Sequence, residues 1–314
     1  MVSRKSATFA SSINKMYNIK NIQIMITSQL SKKDFIEFNT EMARLKAIKW
    51  QGYEKTLKEI GVTYIGNVSS SIKLAHSETY SKVNTYGIYL SPADESFINV
   101  CPSSKYCRDN CLNESGRNKI EKLAGKNTIK RSRIIKTRLF FANRKVFMRL
   151  MIHEIKREMK RADIMRHYFA VRINCTSDLN PTLFMLNGRN ILDIFPNVVF
   201  YDYTKVPNRF QLLDKYPNYD LTWSIDGSKE NLEIGLDFIE RGGRVAVVYG
   251  SNERPIRWFG YDTCDGDLTD YRPNDTKQVC MLKFKKTANN YINGQFVMPN
   301  TDFIVREGDK NCEW

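Results

Sequence analysis

From residue 168 onward, short apolar runs alternate with segments of helical length and amphipathic pattern. This alternation constrains the fold more than any other feature. The runs at 168–174, 198–203, 220–223, 244–250 and 279–285 read as strands. Segments 208–215 and 231–241 read as helices, the second closed by Gly242 and Gly243. Strands separated by helices imply βαβ units and a parallel sheet, because parallel neighbours need a crossover connection. The expected fold is α/β: a partial (β/α) barrel or a mostly parallel sheet with flanking helices, plus an N-terminal helical extension. The strands end in polar groups: Asn174, Thr176, Ser177 and Asp178; Asp202, Tyr203, Thr204 and Lys205; Thr222 and Ser224. If the sheet is parallel, these groups share its carboxyl edge, where α/β proteins place their chemistry.

The upstream part reads differently. Residues 31–60 carry Phe35, Phe38, Met42, Leu45, Tyr53 and Leu57 at helical spacing, with Ser31 and Asp34 as a capping pair and Gly61 as a stop. One long helix is expected there, then a strand at 62–68 and a polar, serine-rich loop at 69–81. A short strand at 86–90 is ended by Pro92. A second long helix is expected over 137–162, with Phe147, Met151, Ile155 and Met159 stacked at i, i+4. Residues 1–80 then form an arm with a helix and a strand packed on a main domain, 81–314. The first 33 residues hold no acid and read as a basic arm or first strand. The apolar runs are too short for a membrane span, so no membrane partner is expected.

Between the 86–90 strand and the second helix lies Cys101-Pro-Ser-Ser-Lys-Tyr-Cys107-Arg-Asp-Asn-Cys111. Three thiols on so short a loop can turn toward one centre. Structural zinc takes four ligands, often as two CxxC pairs, and no fourth ligand lies nearby in sequence. Three cysteines alone suit a [4Fe–4S] cluster with one iron left open. Zinc, and a disulfide between two of the three, stay as alternatives. Cys175 ends a strand on the same expected edge and is a fourth neighbour. Cys280, inside an apolar run, reads as a small core residue.

The chain carries a net +15, and residues 117–172 hold 18 Lys and Arg against four acids, which places nearly all of the excess in one segment. Lys130, Arg131, Arg133, Lys136 and Arg138 are the candidate phosphate contacts, toward nucleic acid or a phosphorylated small molecule. A solvated helix face is the plainer reading. Farther on, Asp265, Asp267 and Asp270 alternate around a turn-forming glycine and suit either a divalent cation or a self-satisfied Asx turn. No GxGxxG, P-loop or HExxH pattern occurs, and none of the three histidines has an obvious nucleophile beside it.

Together these features assign Cys101, Cys107 and Cys111 to a metal or cluster. Asp178, Lys205 and Asp202 become candidate catalytic groups, and Asn174, Ser177 and Ser224 candidate cofactor- or substrate-binding groups. The alternative is a non-enzymatic nucleic-acid-binding protein whose cysteine loop is structural.

Several short motifs, in one order, carry a family likeness: Leu90-Ser-Pro-Ala-Asp; Cys-Pro…Cys…Cys-Leu-Asn with Gly116-Arg117; Thr137-Arg with Phe140-Phe141 and Arg144; Arg-Ile-Asn-Cys-Thr-Ser-Asp at 172–178; Phe-Tyr-Asp-Tyr-Thr-Lys at 200–205; Leu221-Thr-Trp-Ser; and Asp265-Gly-Asp with Asp270 and Arg272. Over roughly residues 85–300 the chain resembles the bacteriophage gene product 88 family. That resemblance implies a phage-encoded protein acting in the cytoplasm of the bacterial host. The cysteine loop after an early strand is also similar in architecture to radical S-adenosylmethionine enzymes, a likeness that implies S-adenosylmethionine beside a cluster. Its spacing of five and three residues departs from their usual three and two, and no glycine-rich strand end matches theirs.

Overall fold

The apolar runs become strands of one sheet, which has eleven strands among the described residues. The computed structural model describes residues 31–314 apart from 69–70, 105–106, 109, 112, 114 and 293–294. The expected basic arm lies, through residue 30, outside them. In chain order the strands are β1 (Gly66–Val68), β2 (Val83–Ile88), β3 (Tyr168–Arg172), β4 (Val199–Thr204), β5 (Tyr219–Ser224), β6 (Arg244–Tyr249), β7 (Arg257–Trp258), β8 (Tyr261–Asp265), β9 (Val279–Lys283), β10 (Ile304–Val305) and β11 (Cys312–Glu313). Their spatial order is β1-β2-β3-β4-β5-β6-β9-β8-β7-β11, with β10 also beside β6. From β2 through β8 every neighbouring pair is parallel, while β1, β7 and β11 pair antiparallel at the two ends. The sheet stays open; it does not close into a barrel.

The α-helices of five or more residues are α1 (Lys32–Ala47), α2 (Tyr53–Ile60), α3 (Ile72–Ser81), α4 (Gly116–Leu123), α5 (Thr128–Ala142), α6 (Arg144–Met165), α7 (Gln211–Lys215) and α8 (Lys229–Glu240). β2 to β6 advance across the sheet without reversing, so right-handed crossovers put their connecting helices on one face. Phe140, Phe147 and Met151 pack there with Val171, Phe200 and Leu221. The alternate residues of the same strands face the other way. Val83, Ala170 and Tyr201 form a small cluster with Tyr271. On that face α3 meets the segment after β8: Ser77 Oγ accepts from the Asp270 N–H at 2.9 Å, and Lys73 Nζ pairs with Asp267 at 2.7 Å.

Three expectations are corrected. The helix expected over 31–60 is two helices, and the one expected over 137–162 begins at Thr128 and breaks at Asn143. Asn143 accounts for much of both breaks. Its Oδ1 accepts from Val146 N–H at 3.3 Å and caps α6, while its Nδ2 donates to Ile48 O at 2.8 Å and to Leu45 O and Lys46 O at 3.3 Å, where α1 ends. Gly52, at φ 96°, then starts α2 in a new direction. The loop expected over 69–81 is helix α3 from residue 72. Ser71 caps it by accepting from Leu74 N–H at 3.3 Å, and Leu74 and Ser77 are buried. Its serines serve as a cap and a buried contact, not as loop residues.

Glu154 ties the N-terminal extension to the sheet. Its carboxylate is fully buried and accepts from Tyr53 OH at 2.8 Å, from Ile65 N–H and Gly66 N–H at 2.9 Å each, and from Tyr86 OH. One side chain of α6 thus binds α2, β1 and β2.

Candidate functional site

A cavity of about 350 Å³ opens at the carboxyl edge of the sheet. Its walls come from five chain segments: the loop after β2, the turn after β3, the end of β4 with Lys205, Ser224 at the end of β5, and Asn289 far downstream. Cys101, Cys107, Cys111 and Cys175 all line it, with Asn174, Ser177, Asp178, Lys205 and Ser224. Parallel strand direction accounts for this meeting, since all the contributing turns leave the sheet at one edge. Sequence spacing alone placed eight of the nine candidate metal, catalytic and cofactor groups on this edge; the ninth, Asp202, stands behind it.

The roles of these groups differ. Asn174 and Asp202 are buried and bonded to one another: Asp202 accepts from Asn174 N–H at 3.0 Å and from Asn174 Nδ2 at 2.8 Å. Asn174 Oδ1 accepts in turn from Ser177 Oγ at 2.7 Å and Leu179 N–H at 3.0 Å. Asp202 is therefore a positioning residue for the 174–179 turn and does not face the cavity. Asp178 lines the cavity, yet its oxygens accept from Thr204 Oγ1 at 2.7 Å, Lys205 N–H at 2.8 Å and Arg209. A carboxylate so engaged holds a turn. Arg209 went unnoticed in the sequence, where it is one more Arg in a Pro-Asn-Arg-Phe stretch. Its side chain is 0% exposed and bridges Asp178 and Asp202, the latter at 2.6 Å. Burial raises the Asp202 carboxyl above its ordinary range, and the Arg209 charge opposes that rise.

Lys205 is the cavity's freest cation. Its Nζ donates to Ser224 Oγ at 3.0 Å, and among the described residues no carboxylate forms an ion pair with it. The other cationic side chains on the wall are engaged: Arg172 pairs with Asp270 at 2.7 Å, and Arg108 pairs with Asp94.

The thiols sit in largely buried surroundings. Burial pushes the Cys101 thiol well up, Cys111 up to about 11 and Cys175 up to about 12. Each is held by a backbone contact: Cys101 Sγ donates to Thr176 O at 3.7 Å, Cys175 Sγ donates to Arg172 O at 3.6 Å, and Asn113 N–H donates to Cys111 Sγ at 3.5 Å. A bound cation replaces the proton of such a thiol directly. Among the described residues, only Cys264, Asp275 and Cys280 bring three metal-ligating atoms within 4.8 Å of one another, so at least one pair among the Cys101, Cys107 and Cys111 sulfurs stands farther apart than that.

The expected five-residue phosphate patch is corrected by burial. Lys136 is only 4% exposed, its Nζ lies 5.1 Å from the Tyr64 ring centroid, and burial draws its pKa down to about 8. Arg138 lies over Phe38 and Phe97 and donates to Ser96 O at 3.3 Å. Arg133 stacks over Tyr89 and donates to Asn113 Oδ1. Only Lys130 and Arg131 of the five are exposed. The carboxylate trio is corrected too. Asp267 pairs with Lys73 and Lys285, Asp270 pairs with Arg172 and accepts from Tyr201 OH, and Asp265 Oδ1 accepts from Asp267 N–H at 2.8 Å. The Asx turn is what forms.

The Gene product 88 family model matches residues 55–295, well over half of the sequence, and the chain belongs to that family. Comparison with curated proteins and with solved structures finds no match. Among the described residues no helix is long and apolar enough to cross a membrane.

Proposed function

We propose that this member of the Gene product 88 family holds an iron–sulfur cluster on Cys101, Cys107 and Cys111 and binds a phosphate-bearing small molecule beside it. One observation carries the reading: three thiols from one loop line one cavity, with at least one pair of their sulfurs more than 4.8 Å apart. Tetrahedral zinc–thiolate bonds of about 2.3 Å put sulfurs about 3.8 Å apart. Thiolates on separate irons of a cluster are spread more widely. A cavity of about 350 Å³ also exceeds what one ion needs and suits a small ligand. With three cysteine ligands, a four-iron cluster supplies an open coordination position or an electron.

The chain's own groups supply the rest. Lys205 presents an ammonium to an anionic ligand, with Ser224 as its neighbour. Asp178, Asp202, Asn174 and Arg209 fix the turns that carry these groups. A small phosphorylated ligand fits this inventory better than duplex nucleic acid, because three of the five candidate basic residues are buried or stacked on aromatic rings.

Anaerobic purification with iron and acid-labile sulfide analysis tests the proposal. About four irons per chain are expected, falling to near zero in Cys101→Ser, Cys107→Ser and Cys111→Ser. Stoichiometric zinc without iron, or iron that survives all three substitutions, overturns it.

A further inference from the structure

Away from the cavity, two cysteines and an aspartate converge between β8 and β9. Cys264 and Cys280 face each other in register on these parallel strands. Asp275, from the connecting segment, completes a trio whose ligand atoms all lie within 4.8 Å of one another. None of the three lines the cysteine-walled cavity. We propose that Cys264, Asp275 and Cys280 form a second metal site that takes a single borderline-soft divalent cation such as zinc.

Ligand chemistry sets the preference. Two thiolates and one carboxylate suit zinc and not magnesium or calcium, which take oxygen donors. The spacing suits one ion, since sulfurs on a shared zinc stand about 3.8 Å apart. The trio meets this condition where the cavity thiols do not.

The surroundings support the ligands. Arg272 Nη1 lies 2.6 Å from Cys280 Sγ and 2.8 Å from Asp275 Oδ2. It orients both groups and leaves the other Asp275 oxygen for an ion, as outer donors do at metal sites. Gly266 packs against the sulfur so closely that a Cβ there would come 2.3 Å from Cys280 Sγ. Cys264 and Asp275 are partly exposed, which gives an ion a way in and a water a fourth position.

Charge balance also permits the ion. Arg172, Arg244 and Arg272 pair with Asp270, Asp220 and Asp275 at 2.7, 2.8 and 2.8 Å. This network is neutral while both thiols keep their protons. A divalent cation that displaces two thiol protons leaves it neutral.

The test uses the full chain with Cys101, Cys107 and Cys111 all replaced by Ser, so that Cys175 is the one thiol left on the cavity wall among the described residues. Cobalt(II) is titrated and the thiolate-to-cobalt charge-transfer absorption is followed. One equivalent is expected to bind. Adding Cys264→Ser should abolish the band, and adding Asp275→Asn should weaken affinity about tenfold or more. A folded triple variant without the band overturns the proposal, as does a band that survives Cys264→Ser. Should the triple variant fail to fold, zinc protection decides in the parent chain. Alkylation of Cys264, read by mass spectrometry, is expected to slow at least about tenfold with zinc, and to regain most of its rate in Asp275→Asn. Equal alkylation with and without zinc, or a Cys264–Cys280 disulfide after purification in reductant, overturns it.

Discussion

Replacing Arg209 with Met removes the one cation that bridges Asp178 and Asp202. The Arg209 side chain is 0% exposed, and the Asp202 side chain 1%. Asp202 keeps two bonds from Asn174, at 3.0 and 2.8 Å, and one from Tyr219 OH at 3.4 Å, but loses its countercharge. Breaking a buried pair from one side costs about 3–5 kcal/mol, because the remaining charge has no partner and no water. The loss should depend on pH. The folded Asp202 carboxyl already sits above its ordinary value, and without Arg209 it rises further. A folded pKa above the unfolded one means the native state holds a proton that the unfolded chain releases. That contribution is complete below the unfolded pKa, about 3.9, and is lost as pH rises through the folded value. The Arg209→Met deficit should therefore be larger at pH 8 than at pH 5.5. Adding Asp202→Asn removes the stranded charge and should restore about 1–3 kcal/mol, a coupling that urea denaturation of the four chains measures. Asp178 stays behind with its Thr204 and Lys205 donors, so recovery should be incomplete. A loss under about 1 kcal/mol at pH 8, or two substitutions that simply add, would refute the bridging role.

Glu154→Gln keeps the shape but turns one acceptor oxygen into a donor facing two of the four hydrogen-bond donors, and should cost about 2–4 kcal/mol in urea melts. A cost within about 0.5 kcal/mol would deny the carboxylate its linking part. Lys136, at about 8 when folded against about 10.4 unfolded, should make the parent chain more stable as pH climbs through that window. Lys136→Met should flatten that rise and stabilise the chain at pH 7 by up to about 3 kcal/mol; an unchanged pH slope would rule out the buried charge. Lys205→Met should weaken inorganic phosphate binding about tenfold or more by calorimetry while leaving the melting temperature nearly unchanged. Undiminished phosphate affinity would remove Lys205 from the ligand's environment.

Period and strand-end chemistry made the parallel sheet legible, because a strand–helix alternation leaves few alternatives. The same reasoning put Cys101, Cys107, Cys111, Asp178, Lys205 and Ser224 on one edge, where they line one cavity. What escaped the sequence acts at long range in the chain. Asn143 caps a neighbouring helix and meets carbonyls about a hundred residues upstream, so its amide is invisible to local periodicity. Arg209 binds an aspartate 31 residues earlier, and only the strand order brings them together. The basic segment misled for another reason. A count of Lys and Arg does not distinguish a charge in water from one laid on an aromatic ring, as Arg133 and Arg138 are.

The cavity walls come from stretches centred on the cysteine loop, residue 175, residue 204 and Ser224, and from Asn289. On a ribosome these appear one after another. At about 5–20 residues per second, Ser224 is added roughly 6–20 s after Cys111. During that interval the three thiols have neither strand turns nor Lys205 around them, and they meet the host's metals and oxidants as an open peptide. If the proposed cluster forms, its loading into the finished pocket belongs after translation has passed β5 and Asn289. A host or phage component that shields residues 101–111 from the nascent stage onward would raise the yield of loaded protein without touching the folded molecule.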